Sequence, residues 1–150
     1  MDPLSFTASL VAVTTLSVQL TKCFSKLRDV CRTLPGRLHA LNNEIADLTA
    51  VLHDVGVLFA DAEKLEGAAY QEQAALLHTF DQLQVKLAEL KVIVEALTVA
   101  CSKSSIPLLR ARAWSRVQGR LQSLQEELKT YKSHLNIALG VSASYARTIP

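Results

Sequence analysis

The chain has 150 residues, of which 49% are hydrophobic and 5% aromatic, with five glycines and four prolines. This composition favours helices packed through aliphatic side chains and argues against an all-β or a disordered protein. The net charge of +2 singles out no class of partner, and three cysteines without a C-x-x-C spacing are typical of reduced thiols in a cytosolic protein.

An uncharged segment opens the chain, from Pro3 to Thr21, between Asp2 and Lys22. It is a poor signal peptide because no basic residue precedes it, and a marginal membrane span because eight of its nineteen residues are polar. The longer pattern predicts a helix over 3–32, with Asp2 as its N-cap. Its mostly apolar stripe steps by four and three residues and comprises Phe6, Leu10, Val13, Ser17, Leu20, Phe24, Leu27 and Cys31.

Three further segments repeat this stepping and predict helices over 36–66, 70–101 and 107–146. The second stripe comprises Leu38, Leu41, Ile45, Leu48, Leu52, Val55, Phe59 and Ala62. The third comprises Leu76, Phe80, Leu83, Leu87, Leu90, Val94, Leu97 and Cys101. The fourth comprises Trp114, Val117, Leu121, Leu124, Leu128, Tyr131, Leu135 and Ala138. Four long helices with short connections predict an all-α fold, an antiparallel four-helix bundle (up-down-up-down) forming a single domain over 1–150.

Charge is distributed unevenly along the chain. Residues 1–37 carry a net charge of +3, residues 38–101 carry −7 and residues 102–150 carry +6. In an up-down-up-down bundle the first and fourth helices are neighbours, so we expect one side of the molecule to be positive. The basic residues proposed to meet anionic lipid headgroups are Lys22, Lys26, Arg28, Arg32, Arg112, Arg116 and Arg120. The alternative is a solvated face, or ion pairs with the second and third helices.

The sequence contains no recognisable catalytic motif. Its four histidines show no metal-ligand spacing, and phosphate-binding and nucleophile motifs are absent. We interpret Cys31, Cys101 and Trp114 as core residues, because all three occupy stripe positions. We therefore expect no enzyme, no cofactor and no metal site. Nucleic acid is not an expected partner, because aromatic residues for base stacking are scarce.

Three stretches resemble the HeLo-like N-terminal domains of fungal STAND proteins, which are NOD-like receptors. They are MDPLSFTASLVAV at the start, LNNEIADLTAVL in the second helix and LLRARAWSRVQGRLQSLQEELKTYKSHLNIALGV in the fourth. The resemblance covers nearly the whole chain. It implies a helical bundle at the N-terminus of a longer receptor that carries a nucleotide-binding oligomerisation module. Members related to the HeLo domain are effectors of programmed cell death.

The resemblance also implies a mechanism. The domain would rest in the cytoplasm, oligomerise on activation, and insert its N-terminal helix into the plasma membrane. The implied partners are further copies of the chain, anionic membrane lipids and other helical-bundle effectors. The membrane-inserting residues would be Leu4, Phe6, Leu10, Val11, Val13, Leu16, Val18 and Leu20. A first helix rich in serine and threonine fits insertion of several copies around a polar path better than insertion of a single copy.

The alternative function is a soluble helical interaction module. Such a module would oligomerise or recruit partners without entering a bilayer, and four complete apolar stripes favour it as the resting state. Both states can also occur in succession, with the first helix packed at rest and released on clustering. Residues 4–21 hold ten apolar and eight polar side chains, a balance that suits a helix occupying both environments.

Overall fold

Four helices make up the structure, a computed structural model that describes residues 3–31, 35–60, 68–103 and 107–148. Side chains are described over 5–31, 35–59, 74–103 and 110–141. The helices are α1 (Pro3–Val30), α2 (Gly36–Ala60), α3 (Ala68–Lys103) and α4 (Pro107–Thr148). The described ranges contain no strand, so the all-α fold class is confirmed.

The helix ends agree with the sequence prediction to within two residues wherever the structure describes them. The exception is residues 61–66, predicted as the last turns of the second helix, which lie outside the described residues. Backbone hydrogen bonds mark the boundary between α1 and α2. The Cys31 amide donates to the Leu27 carbonyl at 2.8 Å, and the Leu38 amide donates to the Pro35 carbonyl at 2.9 Å. Pro35 thus supplies the first carbonyl of α2.

The predicted stripes form the hydrophobic core. All eight members of the third stripe are buried, as are most described members of the first and second stripes and half of the fourth. The remaining described members are half-buried and pack against the core: Leu10, Cys31, Phe59, Trp114, Val117, Tyr131 and Ala138. Ala62 lies outside the described residues. The predicted assignment of these residues to the core is therefore confirmed, because the period of the apolar pattern matches the helical repeat.

Helix α1 runs antiparallel to α2. Near its start, the ring of Phe6 lies 5.2 Å from that of Phe59. Further along α1, the hydroxyl groups of Ser17 and Thr49 share a hydrogen bond. Residue numbers rise along α1 while those of its partners on α2 fall, which fixes the relative direction of the two helices.

Helix α1 runs parallel to α3, with which it makes its most extensive contact. The rings of Phe6 and Phe80 lie 5.5 Å apart. The Lys91 ammonium donates to the amide oxygen of Gln19 at 3.1 Å. The residue numbers of the contacting pairs rise along both helices, so the C-terminal ends of α1 and α3 lie at the same end of the molecule.

Helix α4 runs antiparallel to α3 and also packs against α2. Near the start of α4, the Arg110 guanidinium donates to the carbonyl oxygen of Cys101 at 2.9 Å. Farther along, Lys86 of α3 pairs with Glu127 at 3.0 Å. The contact with α2 includes an ion pair between Lys132 and the carboxylate of Glu44 at 2.7 Å.

The order of the helices around the bundle differs from the prediction. In the described part of the chain, extensive contacts join α1 to α2 and α3, and join α4 to the same two helices. Helices α1 and α4 therefore lie at opposite corners, and the expectation that they are neighbours forming one positive side is wrong. Each of the two basic helices thus lies between α2 and α3, and α4 forms ion pairs with both of these neighbours.

Candidate functional site

The first half of α1 carries the residues predicted to insert into a membrane, and the bundle divides them into three groups. Phe6, Val13 and Leu20 are buried in the core. Leu10 and Leu16 are half-buried at its edge. Val11 and Val18 are exposed to solvent, and the side chain of Leu4 lies outside the described residues. Most of the predicted inserting surface is thus packed against α2 and α3 in this conformation.

Two of the hydroxyl groups of α1 are bonded within the helix itself. The Thr14 hydroxyl donates to the carbonyl oxygen of Leu10 at 2.8 Å, and the Thr21 hydroxyl donates to that of Ser17 at 3.1 Å. Ser17 is fully buried, and its own hydroxyl group meets that of Thr49 on α2. A threonine bonded to its own helix carries its hydroxyl into an apolar environment at reduced cost.

An open groove of about 470 Å³ separates the outer faces of α1 and α2. Its lining residues are mostly apolar: Leu10, Val11, Thr14, Thr15, Leu52, His53, Gly56 and Val57. A Cβ atom at Gly56 would lie 3.6 Å from Cδ2 of Leu10, which is an ordinary van der Waals distance. A side chain at position 56 could therefore be accommodated, and Gly56 is not required to bring the two helices together.

The basic residues predicted to meet lipid headgroups fall into two structural classes. Exposed side chains without an ion pair among the described residues are Lys22, Lys26, Arg28, Arg112 and Arg116. Arg120 instead donates from Nε to Oε1 of Glu89 at 2.5 Å and lies 3.5 Å from Glu127. Arg32 lies outside the described residues. For Arg120, the alternative of an ion pair with a neighbouring helix is the correct one.

The exposed basic residues gather at one end of the bundle rather than on one side. The C-terminal ends of α1 and α3 meet the start of α4 there, where Cys31 contacts Cys101 and Arg110 bonds to the Cys101 carbonyl. The start of α2 lies at the same end because α2 is antiparallel to α1. Residues 20–31, 35–46, 92–103 and 110–119 form this basic end and carry eight basic and three acidic side chains. The uncharged half of α1 points to the opposite end.

Two of the cysteines carry thiols that resist ionisation. Burial, together with the hydrogen bond and the electrostatic interaction with Cys101, raises the pKa of Cys31 to about 11. Burial and the neighbouring Glu95 carboxylate also raise the pKa of Cys23. High thiol pKa values are typical of structural rather than nucleophilic cysteines. The interpretation of Cys31 and Cys101 as packed thiols agrees with their place in the core, and Trp114 packs there as well.

Sequence reasoning missed one surface feature, an apolar stripe on the outer face of α3. We call it the outer valine stripe. Its members are exposed, and they are Val85, Ala88, Val92, Ala96 and Val99. The available signal was the repetition of valine at every seventh residue from 85 to 99, which places these side chains on one line along a helix. That line lies opposite the core-facing stripe of the same helix.

No helix in the described part of the chain contains a stretch long and apolar enough to cross a membrane. The model of one protein family, described as pigment biosynthesis cluster protein PigL N-terminal, matches residues 1–147. No curated protein and no solved structure gives a significant match. Because the family match spans nearly the whole chain, the protein belongs to the family of N-terminal domains named after the pigment biosynthesis cluster protein PigL.

Proposed function

We propose that this domain is an N-terminal signalling and cell-death effector module that self-associates and then delivers α1 to anionic membranes. The observation that carries the proposal is the nature of α1 between Pro3 and Thr21. This segment has no charge, and two of its threonine hydroxyls are bonded to carbonyl groups of the same helix. Such a segment can exchange a protein interior for an apolar environment without transferring a charge and with these two hydroxyl groups still bonded.

The cost of releasing α1 explains why clustering is needed. Phe6, Val13 and Leu20 are buried, and exposing each costs about 2 kcal/mol, or about 6 kcal/mol in total. An isolated domain therefore keeps α1 in the bundle almost all the time. Clustering on a membrane places apolar lipid and neighbouring copies within reach, and transfer into either recovers much of that free energy.

The serine and threonine residues of α1 support assembly of several copies. Ser5, Thr7 and Thr15 are exposed, and no long apolar window exists in the described helices. A single copy would bring its hydroxyl groups into contact with lipid tails. Several copies arranged around a polar path would turn them inward, towards water or each other.

The basic end provides the electrostatic part of the proposal. Each Lys or Arg near an anionic surface contributes about 1 kcal/mol of attraction. Lys22, Lys26 and Arg28 follow directly after the uncharged segment of α1, so headgroup binding there would hold the end of the helix at the lipid surface. The module would rest in the cytoplasm and act at the plasma membrane. The resemblance to HeLo-like domains of STAND receptors supports the same assignment, with no enzymatic role for this domain.

A test of the proposal uses exposed residues, because deleting α1 would remove part of the core. The 150-residue chain, carrying a C-terminal histidine tag, is held at rising density on anionic vesicles that contain chelating lipid and an encapsulated dye. We expect leakage to rise steeply with density. The double variant Val11→Asp, Val18→Asp should keep its helical content and melting behaviour but lose leakage, since each carboxylate in hydrocarbon costs about 3 kcal/mol.

The matched control is Val57→Asp on α2. Val57 and Val11 are both 57% exposed and line the same groove. Leakage that survives Val57→Asp but not the α1 variant supports insertion of α1. An absence of leakage at every density, or equal leakage by the α1 variant and the unaltered chain, would refute the membrane function.

The second candidate function is a soluble self-association module with no membrane activity. It is favoured by the burial of Val13 and Ser17 at the centre of α1, which makes the helix an integral part of the core. If this function is correct, Val13→Asp unfolds the domain and Val11→Asp does not. Neither variant changes vesicle permeability, because the unaltered chain has no membrane activity to lose. The vesicle experiment above separates the two functions directly.

A further inference from the structure

The outer valine stripe of α3 is an apolar surface that the bundle leaves uncovered. The two flanks of α3 are occupied by other helices. Lys91 bonds to Gln19 of α1 on one flank, and Glu89 pairs with Arg120 of α4 on the other. The face between these flanks carries Val92, which is 65% exposed. The stripe is therefore an apolar surface open to a partner that the single bundle does not supply.

The stripe has a symmetric sequence centred on Val92. Val85 and Val99 lie seven residues on either side of it, and Ala88 and Ala96 lie four residues on either side. The order of valine and alanine along this face is therefore the same from either end of the stripe. Such a face is complementary to itself when two copies meet in antiparallel orientation about a twofold axis.

Charges at the two ends of the stripe add to this symmetry. Asp81 and Lys103 lie eleven residues before and after Val92, and both are exposed. Antiparallel pairing would bring each Asp81 opposite the Lys103 of the second copy, twice per dimer. Parallel pairing would instead oppose Asp81 to Asp81 and Lys103 to Lys103. Charge complementarity thus selects one orientation.

We propose that the outer valine stripe binds a second copy of this chain, with the two α3 helices antiparallel and Val92 on the twofold axis. Ala88 and Ala96 are small enough to allow close approach of the two helices. Glu95 would lie opposite Glu89, whose carboxylate is already paired with Arg120. The inference names a face for the self-association in the proposed function and rests on that function for its biological role.

The expected dimer is weak and concentration-dependent. The stripe from Val85 to Val99 extends for about 21 Å along α3, and a single helix pair of this length forms a small interface. Small interfaces are typical of transient association, which suits a module that assembles only when clustered. The pairing is measured in solution without lipid, so its outcome is independent of vesicle leakage.

Sedimentation velocity over a concentration series tests the proposal. We expect the unaltered chain to shift from monomer to dimer, and Val92→Glu to weaken dimerisation by about tenfold or more, because two carboxylates would face each other on the axis. Ile137→Glu on α4 is the matched control, since Ile137 is also 65% exposed, and it should leave the dimer unchanged. An equimolar mixture of Val92→Glu and Val92→Lys should restore dimerisation through the mixed pair.

A charge swap tests the orientation. Asp81→Lys should weaken the dimer, and the double variant Asp81→Lys, Lys103→Asp should restore it, because both contacts are then reversed. A chain that stays monomeric at all concentrations would overturn the inference, and so would a dimer insensitive to Val92→Glu. A dimer that leaves vesicles intact would support this inference while refuting the membrane function. Leakage by a monomeric chain would do the reverse.

Discussion

The aromatic rings of Phe6 and Phe80 lie 5.5 Å apart and tilted at 50°, joining the first turns of α1 to α3. Phe59 of α2 meets the same ring of Phe6 at 5.2 Å. Phe6 is therefore the point at which three helices are held together, at the end of the bundle where α1 is uncharged.

Replacing Phe6 tests how firmly this end of α1 is held. We expect Phe6→Ala to lower the free energy of unfolding by about 3 kcal/mol, because it removes a buried ring and leaves a cavity. Phe6→Leu should cost about half as much, since it keeps most of the volume. Denaturation in urea measures both. Val11→Ala, at an exposed site of the same helix, is the control and should change stability little; an equally small effect of Phe6→Ala would contradict the packing described here.

The pair formed by Lys132 and Glu44 predicts a second stability effect. Glu44 is buried, and Lys132 Nζ lies 2.7 Å from its carboxylate. Lys132→Ala would leave that carboxylate without its partner and should cost about 2 kcal/mol. Lys129→Ala, which removes an exposed lysine from the same helix, should cost less than about 0.5 kcal/mol. Equal effects of the two variants in thermal unfolding would show that the pair does not tie α2 to α4.

The Glu89 and Arg120 pair predicts a dependence on acidic pH. The hydrogen bond from Arg120 holds the pKa of Glu89 below its ordinary value. The folded protein therefore favours the ionised form, so this contribution is complete above the unfolded pKa and is lost as the pH falls through the folded one. We expect the free energy of unfolding to fall below about pH 4.5, and Glu89→Gln to reduce the slope. Glu126→Gln, at an exposed carboxylate outside the described ion pairs, should leave the slope unchanged.

The thiol of Cys31 predicts slow chemical modification. Because its pKa is raised to about 11, little thiolate is present at pH 8, and alkylation by iodoacetamide should be about tenfold or more slower than in the unfolded chain. Mass spectrometry of the labelled peptides measures the rate at each cysteine. Cys101→Ala removes the hydrogen-bonding partner and should speed labelling of Cys31. Labelling at the unfolded rate in the unaltered chain would contradict the contact between the two thiols.

The helices and the core were predictable from the sequence because each stripe repeats the helical period over eight positions. Val13, Ile45, Leu87 and Leu128 illustrate this, since all four are buried as their place in a stripe requires. The lengths of the connections carry no comparable information about which helices become neighbours. The order around the bundle involves contacts between helices, such as the pairing of Arg120 with Glu89, which the pattern of a single helix does not contain.

The candidate site was predictable only in part. The basic residues at the end of α1 and the start of α4 are exposed as expected, but Arg120 is held by α3. The membrane prediction named Val11 and Val13 together, although one faces solvent and the other the core. Their difference depends on where α2 and α3 lie around α1. The outer valine stripe lacked a charged or catalytic residue to draw attention to it.

The corner positions of the helices determine what would remain if α1 departed. Because α2 and α3 sit diagonally opposite and both adjoin α4, the remainder would be an open layer with α4 in the middle. The inner sides of α2 and α3, including Leu48 and Leu87, would lose their cover together. Detachment of one helix would thus expose a large apolar surface on each molecule. Copies activated side by side would then bury these surfaces against each other.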